Sequence, residues 1–201
     1  GQEAVFSRFE NYHDGPAFLD ELRVVNYDDD SARMNALLSG QVDGVAGVPA
    51  GQANVVEQSG KHELLVSQGG AFRPFTMRVD VKPFSDNRVR QAIRLLADRE
   101  QMVKQALNGY GRVGNDIYGI ADPMYSKDIP QREYDPEQAK SLLRQAGLEG
   151  AELRLVTSPV KPGVVEACEV LAENARAAGL KINLHKIDQE TLFGDRYADW
   201  E

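Results

Sequence analysis

Apolar positions along this chain fall into short periodic groups separated by glycine, proline and aspartate, and the period alternates between that of a strand and that of a helix. The segment up to Tyr12-His13-Asp14-Gly15-Pro16 reads as turn, and Leu22-Arg23-Val24-Val25 as a short strand. Asp28, Asp29, Asp30 and Ser31 then offer N-cap oxygens ahead of Met34, Leu37 and Leu38, whose spacing makes one apolar helical face that stops at Gly40. Residues 42–45 are predicted to resume as a buried strand, which would close a small β-α-β unit. A short helix is expected over 54–58 and a strand over 64–66. An extended segment follows over 72–79, with Phe75, Met77 and Val79 on one side of a period of two.

Lys82-Pro83-Phe84 changes the composition and is the expected connector between lobes. Beyond it, Ser85 is placed to cap a helix carrying Val89, Ile93 and Leu96, and Asp98 with Gln101 forms a second cap before Met102, Val103, Ala106 and Leu107. Two helices or one kinked helix fit this pattern. The stretch 110–132 has no period and reads as a long surface loop, a length that calls for a functional or packing role. Asp135-Pro136 starts a helix with Ala139, Leu142, Leu143 and Ala146 inward and Gly147 as its stop. Leu153, Leu155 and Thr157 predict a strand. A helix over 163–178 follows, burying Val165, Cys168, Leu171, Ala172 and Ala175, and after Gly179 a strand carries Leu180, Ile182, Leu184 and Ile187. The alternation predicts an α/β fold with mixed sheets flanked by helices.

Composition narrows the chemistry. The 201 residues include 42% hydrophobic ones, enough to fill a core, and carry a formal charge of −8 that is spread along the chain. Such a surface gives no electrostatic reason to bind a nucleic acid or an anionic bilayer. No apolar run approaches the roughly 18 residues of a membrane span. The single cysteine, Cys168, excludes an intrachain disulfide and sits on an apolar helical face, where a thiol packs as a small hydrophobe. His13, His62 and His185 are isolated from one another, without metal-ligand spacing. Asp28–30 runs straight into a helix and reads as capping, not as a calcium loop. Asp43 beside Gly44 reads as turn pairing. Gly109-Tyr110-Gly111-Arg112-Val113-Gly114 follows a helix and lacks the spacing of a phosphate or dinucleotide loop. Arg88, Arg90, Arg94 and Arg99 alternate with Asp86, Asp98 and Glu100, so local ion pairing is expected. No cofactor is called for.

Four segments in a fixed order carry a resemblance. They are Arg8-Phe9-Glu10-Asn11-Tyr12-His13-Asp14-Gly15-Pro16 running on to Leu19-Asp20-Glu21, and Ala32-Arg33-Met34-Asn35-Ala36-Leu37-Leu38-Ser39-Gly40-Gln41-Val42-Asp43-Gly44. The most specific is Lys82-Pro83-Phe84-Ser85-Asp86-Asn87-Arg88-Val89-Arg90-Gln91-Ala92-Ile93, with Ala97-Asp98-Arg99-Glu100 beyond it. The last is Tyr134-Asp135-Pro136-Glu137-Gln138-Ala139-Lys140-Ser141-Leu142-Leu143-Arg144-Gln145-Ala146-Gly147. Together they resemble the extracytoplasmic solute-binding proteins of the peptide, nickel and opine ABC-transporter family, family 5. His13 departs from the tryptophan usual at that position.

The resemblance implies a partial periplasmic-binding-protein type II architecture. On this comparison 1–78 corresponds to the later part of a first lobe and 79–201 to the early part of a second, incomplete lobe of a longer receptor. It implies no enzymatic activity, a monomer, a peptide or other small-molecule ligand, and an ABC permease as partner of the full-length protein. The location implied is periplasmic or extracytoplasmic, with a lipid anchor as an option. Phe72, Arg73 and Phe75 match the region where peptide-binding relatives contact ligand. The acidic residue that receives a peptide amino terminus in those relatives falls beyond the equivalent of Trp200. Arg88 and Arg90, on the helix after the connector, are expected to support lobe packing. A nontransport peptide-recognition or chaperone-like module and an α/β enzyme fragment are the alternatives.

Overall fold

The computed structural model describes residues 3–67 and 69–195, so Trp200 lies outside the described residues. The chain divides into two compact units, Gly1–Val48 and Pro49–Glu201.

In the first unit, β1 (Glu3–Ser7) pairs antiparallel with β2 (Glu21–Val25), Val5 lying opposite Arg23. The opening segment therefore begins as a strand, where turn was expected. Both faces of this pair are open, since Val5 and Phe6, neighbours on opposite faces, are 52% and 56% exposed. α1 (Asp30–Leu38) is capped by Asp29, which accepts from the Ala32 amide at 2.8 Å, and it buries Met34, Ala36 and Leu37. Within the aspartate cluster, Asp29 is thus the cap, and Asp30 pairs with Arg33 at 2.8 Å. The strand expected over 42–45 does not form. The amides of Gln41 and Val42 both turn back to the Ala36 carbonyl, at 2.9 and 3.3 Å, and satisfy the end of α1. The order here is β-β-α and not β-α-β.

The second unit opens with a 3-10 turn (Ala50–Gln52) and α2 (Ala53–Gln58). No strand forms over 64–66, and Leu65 is 83% exposed. Three apolar residues without a pairing partner do not make a strand. Along 72–79 no ladder forms either. The period of two holds at Phe75 and Met77, which are half-buried against the core, and fails at Val79, which is 61% exposed.

α3 (Asn87–Leu96) is capped by Asp86, not Ser85, through the Arg88 amide at 2.8 Å. It buries Val89, Ala92, Ile93, Leu95 and Leu96. Ala97 and Asp98 then take extended ψ values of 92° and 93°, and Asp98 caps α4 (Arg99–Ala106) through the Gln101 amide at 2.9 Å. The tract is two helices. α5 (Pro136–Gln145) starts at the Asp135 cap, and its first turn is tied to α3 by the Asp135 amide on the Leu95 carbonyl at 3.0 Å.

β3 (Glu152–Thr157), α6 (Val164–Ala177) and β4 (Lys181–Lys186) form one β-α-β unit, with Leu153 opposite Ile182 and Leu155 opposite Leu184 in parallel register. A short α7 (Gln189–Leu192) follows. The core lies where α3, α5 and α6 meet over this pair of strands. Leu96, Leu143, Leu171, Ala175 and Leu180 are each at most 2% exposed there. No helix among the described residues is long and apolar enough to cross a membrane.

Candidate functional site

The extended segment after Gly69 and the loop over 110–132 meet in the second unit and leave two of the three predicted ligand-side residues, Phe72 and Arg73, exposed. Arg112 donates from Nη2 to the Gly69 carbonyl at 3.2 Å. Three residues on, the Phe72 ring stacks against Tyr118, with centroids 5.0 Å apart and planes inclined by 10°. Both rings remain open to solvent, Phe72 at 54% and Tyr118 at 76% exposure. Arg73 is exposed beside them. Phe75 points the other way and lines a hollow of about 40 Å³ with Met77, Phe84, Ile93, Leu155 and Ile182. A solute pocket needs about 300–1,000 Å³, so this hollow is a packing feature. Phe75 anchors the segment, while Phe72 and Arg73 face solvent.

The loop keeps its shape through polar groups at its neck. Asp116 accepts from Arg99 Nη2 at 2.6 Å and from Arg132 Nε, and Arg99 Nη1 donates to the Arg132 carbonyl at 2.8 Å. Asn115 Nδ2 donates to the carbonyls of Ile129 and Pro130 at 3.2 and 3.0 Å, and its Oδ1 accepts from the Arg132 amide at 3.3 Å. The Asp116 and Arg99 side chains are each only 16% exposed. Arg99 therefore pairs across the neck and not with its sequence neighbours. Neither Tyr118 nor this neck stood out in the sequence, because the groups that meet at the neck are 14 to 33 residues apart and most lie in a stretch without period. The one available signal was the length of the loop itself.

Arg88 and Arg90 organise the entry to α3. Arg88 grips Asp86 with Nε and Nη2, the shortest contact being 2.5 Å, and donates from Nη1 to the Gln145 carbonyl at 2.7 Å, joining α3 to the end of α5. Arg90 Nη1 donates to the Phe84 carbonyl at 2.6 Å, and Nη2 to Asn87 Oδ1 at 3.0 Å, which fixes the turn before the helix. Hydrogen bonds from the Arg88 side chain, then from its backbone amide, hold the Asp86 carboxyl down at about 2. A carboxyl with a lowered folded-state pKa stabilises above its unfolded value, near 3.9, and loses that contribution as pH falls through the folded value. The melting temperature is thus expected to fall between about pH 4 and pH 2. Asp86→Asn should flatten part of that slope, and an unchanged slope would mean that the Arg88 contact does not persist in solution.

Three other polar side chains noted in the sequence have local partners. Cys168 is buried, its thiol donates to Thr157 Oγ1 at 3.4 Å, and burial pushes its pKa up, which disfavours the reactive thiolate. His62 Nδ1 lies 3.1 Å from Ser59 Oγ, and His13 lies beside Asp14. Among the described residues no group of three or more His, Cys, Asp or Glu side chains could hold a metal ion.

The match to known proteins covers the whole chain. The model of the bacterial extracellular solute-binding proteins, family 5 Middle, matches residues 1–201, and the chain belongs to that family. It is 27% identical over 179 residues to the glutathione-binding protein GsiB of Pectobacterium atrosepticum, covering 86% of this chain and 33% of that protein. Among solved structures, NikA of Staphylococcus aureus in complex with Ni(L-His)2 superposes with a TM-score of 0.75 at 25% identity, over 98% of this chain and 43% of the other. The oligopeptide-binding protein AppA of Bacillus subtilis gives a TM-score of 0.78 at 23% identity, over 96% of this chain and 41% of that one. The fold is that of the periplasmic binding proteins, as the four sequence segments implied. The chain spans about a third of the length of the curated relative GsiB.

Proposed function

We propose that this chain is part of the extracytoplasmic solute-binding component of an ABC importer, taking peptides or related small solutes. The observation that carries this reading is the family match over all 201 residues. Similarity to a glutathione-binding protein and to a nickel–histidine-binding protein supports a small peptide or amino-acid-like solute. Residues 1–78 supply the later part of one lobe and 79–201 the early part of the second. The surface bearing Phe72 and Arg73 lies on the solute side, with Phe75 as its anchor, and Arg88 and Arg90 brace the lobe at the connector. The protein binds and makes no bonds. It works as a monomer outside the cytoplasm and delivers its solute to a membrane permease, which recognises the population shifted by the ligand.

Native mass spectrometry of the complete gene product, purified from its own cells, tests this. A retained peptide or small solute is the expected result, recovered again when the emptied protein is offered a library of di- and tripeptides, opines and metal–histidine complexes. Failure of every library member to bind would overturn the reading.

A further inference from the structure

We infer that Tyr118 is a specificity-determining residue for the solute, that Asp116 is the positioning residue that holds it on Phe72, and that the stacked pair receives a planar side chain of a short peptide. The inference rests on the peptide-binding reading above and names a residue and a ligand feature that the family match does not.

The two rings, 5.0 Å apart and almost parallel, stack with one face of each turned toward the other, so a ligand ring would extend the stack on an outer face. At 76% exposure the outer face of Tyr118 is open. A ring face of this kind attracts the edge or face of another ring and the plane of a guanidinium, whereas an aliphatic side chain gains only the area it covers. Such a surface discriminates only if it is rigid before the ligand arrives, because ordering a free loop would offset the gain. The neck supplies that rigidity. Asp116 is held between the guanidinium groups of Arg99 and Arg132, two residues from Tyr118, and Asn115 bonds the opposite strand of the neck at Ile129 and Pro130. On the other side, the Arg112 bond to Gly69 fixes the segment that carries Phe72. Both rings are therefore set from their own backbones, and the stack does not depend on the ligand.

The test is calorimetric titration of the complete gene product with Ala-Phe-Ala and Ala-Leu-Ala. The wild-type protein is expected to prefer Ala-Phe-Ala by about threefold to tenfold, the range set by aromatic pairing. Tyr118→Ala should erase that ratio and Tyr118→Phe should restore it. Asp116→Ala should bring the ratio to the Tyr118→Ala level and speed amide exchange over 117–128 by about tenfold or more. Equal affinities in the wild type, or a preference that survives Tyr118→Ala, would overturn the role of Tyr118 and leave peptide binding standing. A full preference in Asp116→Ala would overturn the positioning role. If neither peptide binds, the peptide reading fails and this inference fails with it.

Discussion

Gly163→Ala is expected to destabilise the second unit by about 2–5 kcal/mol, the sum of a left-handed backbone penalty and an overpacking penalty. Gly163 is the N-cap residue of α6 and has φ +82°. A Cβ built there would stand 2.5 Å from Leu107 Cδ2 and 2.8 Å from the Ala106 carbonyl oxygen. The leucine can turn aside, but the carbonyl belongs to the last turn of α4 and moves only if the helix does. This glycine is what lets α6 begin directly against the end of α4. Gly147→Ala is the control, since Gly147 also has a positive φ, +73°, with no atom within 4 Å of the added carbon. Its loss is expected to be strain alone, about 1–2 kcal/mol. Urea unfolding of both variants checks the difference, and equal losses would show that Leu107 and the end of α4 both shift aside at no cost.

Why one half of the chain was legible and the other was not follows from where its hydrogen bonds go. Over Asn87–Gln145 each helix starts at a capping carboxylate ahead of a three-and-four apolar spacing: Asp86, where Ser85 was expected, then Asp98 and Asp135 as expected, whereas α6 starts at Gly163 without a side-chain cap and was legible from its apolar spacing alone. Those signals lie within four residues of one another, so the sequence displays them. β3 and β4 were legible for a similar reason: alternating Leu153, Leu155 and Ile182, Leu184 flank a helix long enough for a parallel crossover. Strands that depend on distant partners were harder to read. Residues 42–45 and 64–66 have strand composition, but the first is claimed by the end of α1 and the second finds no ladder. β1 exists because residues 14 or more positions away pair with it, a fact absent from Glu3–Ser7 itself. The site divides in the same way. Phe72 and Arg73 were reached through the family pattern, whereas Asp116, two residues from Tyr118, is held by Arg99, which sequence spacing assigned to a local pair, and by Arg132, which no spacing singled out.

Leu96→Ala is expected to cost about 2–5 kcal/mol, the range for removing a fully buried leucine and leaving part of its volume empty. Leu96 is 0% exposed and is the last helical residue of α3, so its side chain fills the space where α3, α5 and α6 converge. Its backbone has little freedom to follow a smaller side chain inward. The next residue leaves the helix at ψ 92°, and the neighbouring Leu95 carbonyl is fixed by the Asp135 amide that begins α5. A site that cannot collapse retains its cavity, which places this variant toward the upper end of the range. Leu96→Met, which preserves volume, should cost less than about 1.5 kcal/mol, and Leu65→Ala, at a position 83% exposed, should stay within about 0.5 kcal/mol. The three urea midpoints, read with a constant denaturant slope, decide the matter. If Leu96→Ala lost no more than Leu96→Met, the helices would be repacking around the gap, and the convergence of α3, α5 and α6 would not be the rigid base on which the entry to α3 and the neck at Arg99 are set.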